Sequence, residues 1–184
     1  DGTVNPQTSS IQRVGEIYIF TDDIYNKSIE VQRDNVMLDG NGHMLQTSIN
    51  RKSLFGVHLS GRKNVTITNI RISGGFIYGI WLYSSSNNKI VNNTLADVDH
   101  GIRLSSWSDH NFLINNTVMH TYEAISLEDS SYNILLSNKV MDNFKGLNLL
   151  FAIQNTLRNN VMIDNKQSFV VGAMWLEYYI HDVD

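Results

Sequence analysis

A small residue followed by an apolar one recurs through the chain at an almost constant step. Gly56-Val57, Gly79-Ile80, Gly101-Ile102, Ala124-Ile125, Gly146-Leu147 and Ser168-Phe169 stand 23, 22, 23, 22 and 22 residues apart. A fixed period of this size is the mark of stacked supersecondary units that bury their core against one another. Between these marks lies a second motif, two asparagines five residues apart around an apolar centre: Asn64/Asn69, Asn88/Asn93, Asn111/Asn116, Asn133/Asn138 and Asn155/Asn160. Apolar residues alternate within each unit, as in Ile80 with Leu82, Ile102 with Leu104, Ile125 with Leu127 and Leu147 with Leu149. That is the period of a strand and not of a helix.

A unit of this length is too short for a strand, crossover helix and second strand. It holds two or three short strands separated by Ser, Asn, Asp and Gly, which tolerate tight bends. Coiling satisfies both facts: the expected fold is all-β, a right-handed single-stranded parallel β-helix with coils of about 22–23 residues. Equivalent strands then pair at roughly 4.8 Å, and equivalent positions form ladders along the stack. An inward asparagine at a coil corner can satisfy backbone groups that would otherwise be buried there. Proline occurs once, at Pro6, which suits a fold whose interior N–H groups are nearly all ladder donors.

One domain is expected for residues 1–184: an N-terminal cap and first coil over 1–42, an inserted loop over 46–55, regular coils over 56–168 and a C-terminal end over 169–184. Asn35 aligns with Asn64 in this register. The aromatic stretch Phe169 to Ile180 has no polar cap, so the natural protein is expected to continue. Fourteen Lys and Arg against eighteen Asp and Glu give a net charge of -4 with no basic run, which argues against nucleic acid as a partner. No apolar run approaches the roughly 20 residues that span a bilayer, so membrane insertion is not expected. Cysteine is absent, which removes disulfides and thiolate metal ligands. Asn26, Asn64, Asn92 and Asn115 each begin an N-glycosylation acceptor triplet and are candidate modification sites.

Three ladders carry candidate chemistry. Counting from the second asparagine of each pair aligns Ser73, Asp97, His120, Asp142 and Asp164. Asp97, His120 and Asp142 are the catalytic candidates as acid and base, and His120, Asp142 and Asp164 the candidates for a cation. Oxygen ligands with one imidazole suit calcium poorly and a transition metal better; a solvated turn is the structural alternative. The second ladder, Tyr78, His100, Glu123, Lys145 and Gln167, reads as an exposed charge ladder of small energetic weight. In the third, Trp81 and Tyr83 share a strand face with Arg103 and Glu128 of later coils, and Trp107 extends the patch. An aromatic plane beside charged and amide groups suits a sugar ring. The alternative is that these aromatics pack beneath a neighbouring segment.

The segment Tyr18 to Gly42, with Thr21-Asp22-Asp23-Ile24-Tyr25, Val31-Gln32-Arg33-Asp34-Asn35 and Leu38-Asp39-Gly40-Asn41-Gly42, followed by Leu59-Ser60-Gly61-Arg62-Lys63-Asn64-Val65-Thr66-Ile67, resembles the secreted NosD-like right-handed β-helix proteins of archaea and some bacteria. These form the carbohydrate-binding and sugar-hydrolase type of β-helix repeat. The resemblance covers nearly the whole chain and implies export to the cell surface or exterior. It also implies a link to copper through the namesake, implicated in copper-site maturation, and to polysaccharides through enzymatic relatives. Ile180-His181-Asp182-Val183-Asp184 resembles a midpoint of longer relatives. Asp39-Gly40-Asn41-Gly42 is also similar to the opening of polygalacturonases. The catalytic signature of those enzymes is missing, Asp97-Val98-Asp99-His100-Gly101-Ile102-Arg103 being the nearest approach, so their catalytic residues are not carried over.

The expected function is an exported module that binds carbohydrate or another extended surface ligand without turnover. No cofactor is required, with calcium or copper as the ions to consider. Two alternatives stand beside it: a polysaccharide lyase, epimerase or hydrolase, and a structural protein that assembles with further copies, or with the rest of its own chain, through the open end.

Overall fold

The computed structural model describes residues 3–4, 7–48 and 53–172. Seven successive coils, each of three strands, stack into a right-handed parallel β-helix with no helix among the described residues. The fifth coil shows the pattern: Phe112–Ile114, Thr117–Met119 and Glu123–Glu128 contribute one strand to each of three parallel sheets. We call these the first, second and third sheets, in the order the chain visits them. Ile11–Val14 precedes the first coil and pairs antiparallel with Ile17–Phe20, covering the edge of the first sheet.

Side chains alternate across each strand, so every coil sends the same positions inward. The first sheet supplies Leu38, Ile67, Ile90, Leu113, Leu135 and Leu157 in register. The second supplies Leu45, Ile72, Leu95, Val118 and Val140. The third supplies two columns, Val57, Ile80, Ile102, Ile125 and Leu147, and Leu59, Leu82, Leu104, Leu127 and Leu149. All are buried. The recurring small residue is a requirement of close approach. A Cβ on Gly79 would lie 2.8 Å from the Gly101 carbonyl oxygen, and one on Gly101 would lie 2.4 Å from that of Ala124.

Each corner repeats a two-residue device. A residue with positive φ turns the chain outward, and the next residue points in. Asn87, His110, Tyr132 and Gln154 hold φ of 58, 58, 57 and 56° at the corner entering the first sheet. The residues after them, Asn88, Asn111, Asn133 and Asn155, are buried in one ladder. The Asn111 Oδ1 accepts from the backbone N–H of Asn88 at 2.8 Å and from its Nδ2 at 3.1 Å, while Asn111 Nδ2 donates to the Ser85 carbonyl at 2.9 Å. Asn93, Asn116, Asn138 and Asn160 repeat these bonds at the next corner.

This device corrects the expected register in the third coil. Asn64 and Asn69 carry φ of 56° and 54° and occupy the outward positions, because Val65 and Ile70 are the residues whose N–H groups meet Asn88 and Asn93. Left-handed backbone favours asparagine over other non-glycine residues. In the third coil the single asparagine of each corner takes this outward place; in later coils the asparagine is inward behind His110, Tyr132, Ser137 or Gln154, or a double Asn-Asn fills both places. Ser73 shifts by the same single residue: it pairs with Ala96, and Gly74, with φ of 93°, holds the place aligned with Asp97.

Two further ladders were not foreseen. Ser85, Ser108 and Ser130 are buried after the long strand, each hydroxyl accepting from a backbone N–H one coil earlier. Thr121 leads into Asn143 and Asn165 at the corner between the second and third sheets. The segment 46–55 is not a continuous insertion either: Gln46 and Thr47 end one strand, Ser53 begins the next, and 49–52 lie outside the described residues. Met37–Asp39 opens the second coil and not the first, since it pairs with Ile17–Ile19. Gln167–Gly172 forms a strand on Lys145–Leu150, and the rest of the expected end, 173–184, lies outside the described residues.

Three substitutions measure these contributions. Leu104→Ala or Leu127→Ala, both fully buried, is expected to cost about 2–5 kcal/mol in a denaturant titration. Asn116→Ala strips acceptors from two buried donors of Asn93 and is expected to cost about 2–6 kcal/mol, the sum of two orphaned donors at 1–3 kcal/mol each.

Candidate functional site

The outer face of the third sheet gathers the most varied chemistry among the described residues. Its strands run to eight residues in the second and third coils and six thereafter, so each coil presents three outward positions there. Along the stack these positions read Phe55, Tyr78, His100, Glu123 and Lys145, then His58, Trp81, Arg103, Ser126 and Asn148, then Ser60, Tyr83, Ser105, Glu128 and Leu150.

The N-terminal half of this face is aromatic. His58 lies between Phe55, with ring centroids 4.7 Å apart, and Trp81, stacked at 4.6 Å; Tyr78 leans on Trp81 at 4.9 Å. Burial lowers the pKa of His58 and keeps the imidazole neutral in this stack. Trp81 is thus a half-buried member of a cluster, with its indole N–H donated to Ser105 Oγ at 3.0 Å. Tyr83 remains exposed beside it, edge-on at 5.9 Å.

The C-terminal half is polar and densely paired. Arg103 forms an ion pair with Glu128 and lies over the Tyr78 ring. Glu123 is only 6% exposed, which corrects the expectation of a solvated charge ladder. Lys145 Nζ reaches Glu123 Oε1 at 2.8 Å, Asn148 Nδ2 reaches the same oxygen at 3.0 Å, and His100 Nδ1 lies 3.2 Å from Oε2. His100 and Lys145 hold the Glu123 carboxyl down to about 2 against the burial that opposes its charge. In turn Glu123 raises the pKa of Lys145. The register of this column was legible, but its burial was not, because burial depends on which side chains from adjacent coils close around it.

Exposed aromatics border the polar half on both sides. Tyr122, immediately before Glu123, stacks on Phe144 at 5.0 Å, and Lys145 and Lys166 lie over these two rings. On the opposite border stand Trp107, 76% exposed with φ of 61°, and Phe151 with φ of 52°. Trp107 therefore occupies the corner beyond the strand and not the strand face. Bulky side chains in left-handed backbone are uncommon, and glycine or asparagine would fill these bends at lower cost.

The other candidates stand elsewhere. Asp97, His120, Asp142 and Asp164 hold φ of 56, 54, 56 and 50° at the corner between the second and third sheets. His120 Nδ1 lies 3.6 Å from Asp97 Oδ1, with side chains 54% and 67% exposed. Asp142 and Asp164 follow one coil at a time on the outside of the same corner, so the column does not converge on one point. The acceptor asparagines Asn26, Asn64, Asn92 and Asn115 are all exposed, and each occupies a positive-φ bend.

Over residues 4–181 the chain matches the family model described as periplasmic copper-binding protein (NosD), and it belongs to that family. No curated protein sequence matches it. Its fold is similar to that of the periplasmic alginate epimerase AlgG, with 18% identity and a TM-score of 0.63 over 76% of this chain and 33% of that one. It is also similar to an alginate lyase from Paenibacillus sp. str. FPU-7, with 13% identity and a TM-score of 0.59 over 77% of this chain and 59% of that one. The catalytic domain of a GH87 alpha-1,3-glucanase in complex with tetrasaccharides is similar at 15% identity and a TM-score of 0.53, over 80% of this chain and 35% of that one. At these identities the likeness is one of fold, and the chain spans less than two thirds of each of these structures.

The family description names copper. Among the described residues no group of three or more His, Cys, Asp or Glu side chains could hold a metal ion, for calcium or for copper. The imidazole of His58 is packed between rings, and His120 meets a single carboxylate. The described residues do not fit a copper centre of imidazole, carboxylate or thiolate ligands.

The paired state of Glu123 has a measurable consequence. A carboxyl whose pKa falls from 4.5 to about 2 on folding stabilises the protein above the unfolded value, and that contribution is lost as pH falls through the folded one. Glu123→Gln is therefore expected to flatten the decline in thermal stability between pH 4.5 and about 2, read by melting curves at each pH.

Proposed function

We propose that this member of the NosD family is an exported module that binds carbohydrate along the outer face of the third sheet without turning it over. The observation that carries the reading is a polar strand face bordered on both sides by exposed aromatic rings. Tyr122 and Phe144 stand on one border and Trp107 and Phe151 on the other, with Tyr83 exposed at the aromatic end of the face. A sugar ring is recognised by stacking on its C–H face and by hydrogen bonds to its hydroxyls, and this face carries groups of both kinds. The similar folds named for alginate and α-1,3-glucan support the same class of ligand. The periplasmic description of the family supports export, and among the described residues no helix is long and apolar enough to cross a membrane.

Binding without turnover is favoured by the state of the acidic groups. Glu123 and Glu128 are both engaged with cations, and Glu123 is held ionised to about 2, which removes it as a general acid near neutrality. The catalytic candidates Asp97, His120 and Asp142 project from an exposed corner.

A panel of neutral and acidic polysaccharides, assayed together for binding and for released product, tests the reading. Binding without product is expected, weakened about three- to tenfold by Tyr83→Ala or Trp107→Ala, the range of one stacking contact. Product that disappears in Asp142→Asn would instead establish an enzyme.

A further inference from the structure

Ser126 and Asn148 are register partners on neighbouring coils at the centre of the polar half. They are 3% and 2% exposed although both project from the outer side of the sheet. Ser126 Oγ and Asn148 Oδ1 have no hydrogen-bond partner, whereas Asn148 Nδ2 is fixed on Glu123 Oε1 at 3.0 Å. Buried polar atoms are nearly always paired, and each one left alone costs about 1–3 kcal/mol. On this strand face the two lie on register partners, so a single incoming group could supply both missing bonds. Equivalent positions on neighbouring coils lie roughly 4.8 Å apart, so one oxygen between them can hydrogen-bond to both. A sugar hydroxyl meets the demand, donating to Asn148 Oδ1 and accepting from the Ser126 hydroxyl.

The charges around this notch decide the class of sugar. On the Ser126 strand the neighbouring outward positions are Glu123 and Glu128, and each already holds a cation from an adjacent coil, Lys145 and Arg103 respectively. His100 stands on the remaining oxygen of Glu123 at 3.2 Å. A uronate carboxylate entering here would have to separate one of these pairs and would face two carboxylates. Lys166 is turned onto the Phe144 ring at the border. The chain as a whole carries a net charge of -4, which disfavours a polyanion at longer range.

We infer that the Ser126 and Asn148 notch is a subsite for a hydroxyl of an uncharged sugar unit, so that the glycan taken by this face is neutral and not a polyuronate. The inference rests on the carbohydrate reading above and separates this chain from the alginate-named structures whose fold it shares.

Titration calorimetry with neutral hexasaccharides of glucose and mannose, and with hexamers of mannuronate and galacturonate, tests it on the intact chain and on Ser126→Ala. The Ser126 hydroxyl has no partner in the protein, so its removal is expected to leave the melting temperature unchanged or higher. A neutral oligosaccharide is expected to bind with little dependence on salt, and Ser126→Ala to weaken it about tenfold, the equivalent of one buried hydrogen bond. Uronate oligomers that bind more tightly than any neutral one, with affinity falling steeply in salt, would overturn the inference and leave carbohydrate binding standing. Equal binding of neutral glycan by wild type and Ser126→Ala would also overturn it. If neither class binds, both readings fall.

Discussion

Parallel coils must bend three times per turn, and at each bend the sheet ladder lapses while the chain remains buried. Here the missing partners are side chains. Asn111, Asn116, Asn138 and Asn160 each accept the backbone N–H and the side-chain amide of the asparagine one coil before and donate to a carbonyl beyond, so three otherwise orphaned groups are served by one residue. Because every such residue is both acceptor and donor to the next, the ladder sets coil on coil with no freedom to slip by a residue. Hydrophobic columns alone would tolerate shape changes within the core. The alignment of the outward positions, and so of any site built on them, follows from the polar ladders.

Much of this was legible because the repeat constrains each residue several times over. The period, the strand alternation and the columns from the fourth coil to the sixth appear in the observed register, as with Arg103, Ser126 and Asn148 or His100, Glu123 and Lys145. The third coil misled because asparagine answers two demands that a sequence does not distinguish: left-handed backbone outside and amide satisfaction inside. Asn64 and Asn69 meet the first, and Val65 and Ile70 replace the second. The serine ladder was missed since Ser85, Ser108 and Ser130 look like ordinary turn residues until their hydroxyls are seen taking inter-coil N–H groups.

The same ambiguity bears on the site. Asp97, His120, Asp142 and Asp164 form a suggestive column of acids around an imidazole, but their place is set by positive φ, which aspartate tolerates well. Glu123 looked like one member of a solvated ladder and is a buried carboxylate with three neighbours. Its signal lay in the company it keeps: an imidazole on one adjacent coil and an ammonium and an amide on the other are visible only once the stack is assembled. The fold thus converts a repeat with structural demands on most of its positions into one face where those demands are relaxed, and there the residues vary.

The proposed function places the glycan on this face and on no other side of the prism. Assigned amide spectra during titration with a neutral hexasaccharide address it most directly, through the Trp81 indole N–H and the Asn148 side-chain amide. Shifts confined to these signals and to backbone amides of the third sheet and its two borders are the predicted result. Shifts centred on His120 and its corner, or on the outer faces of the first and second sheets, would contradict it.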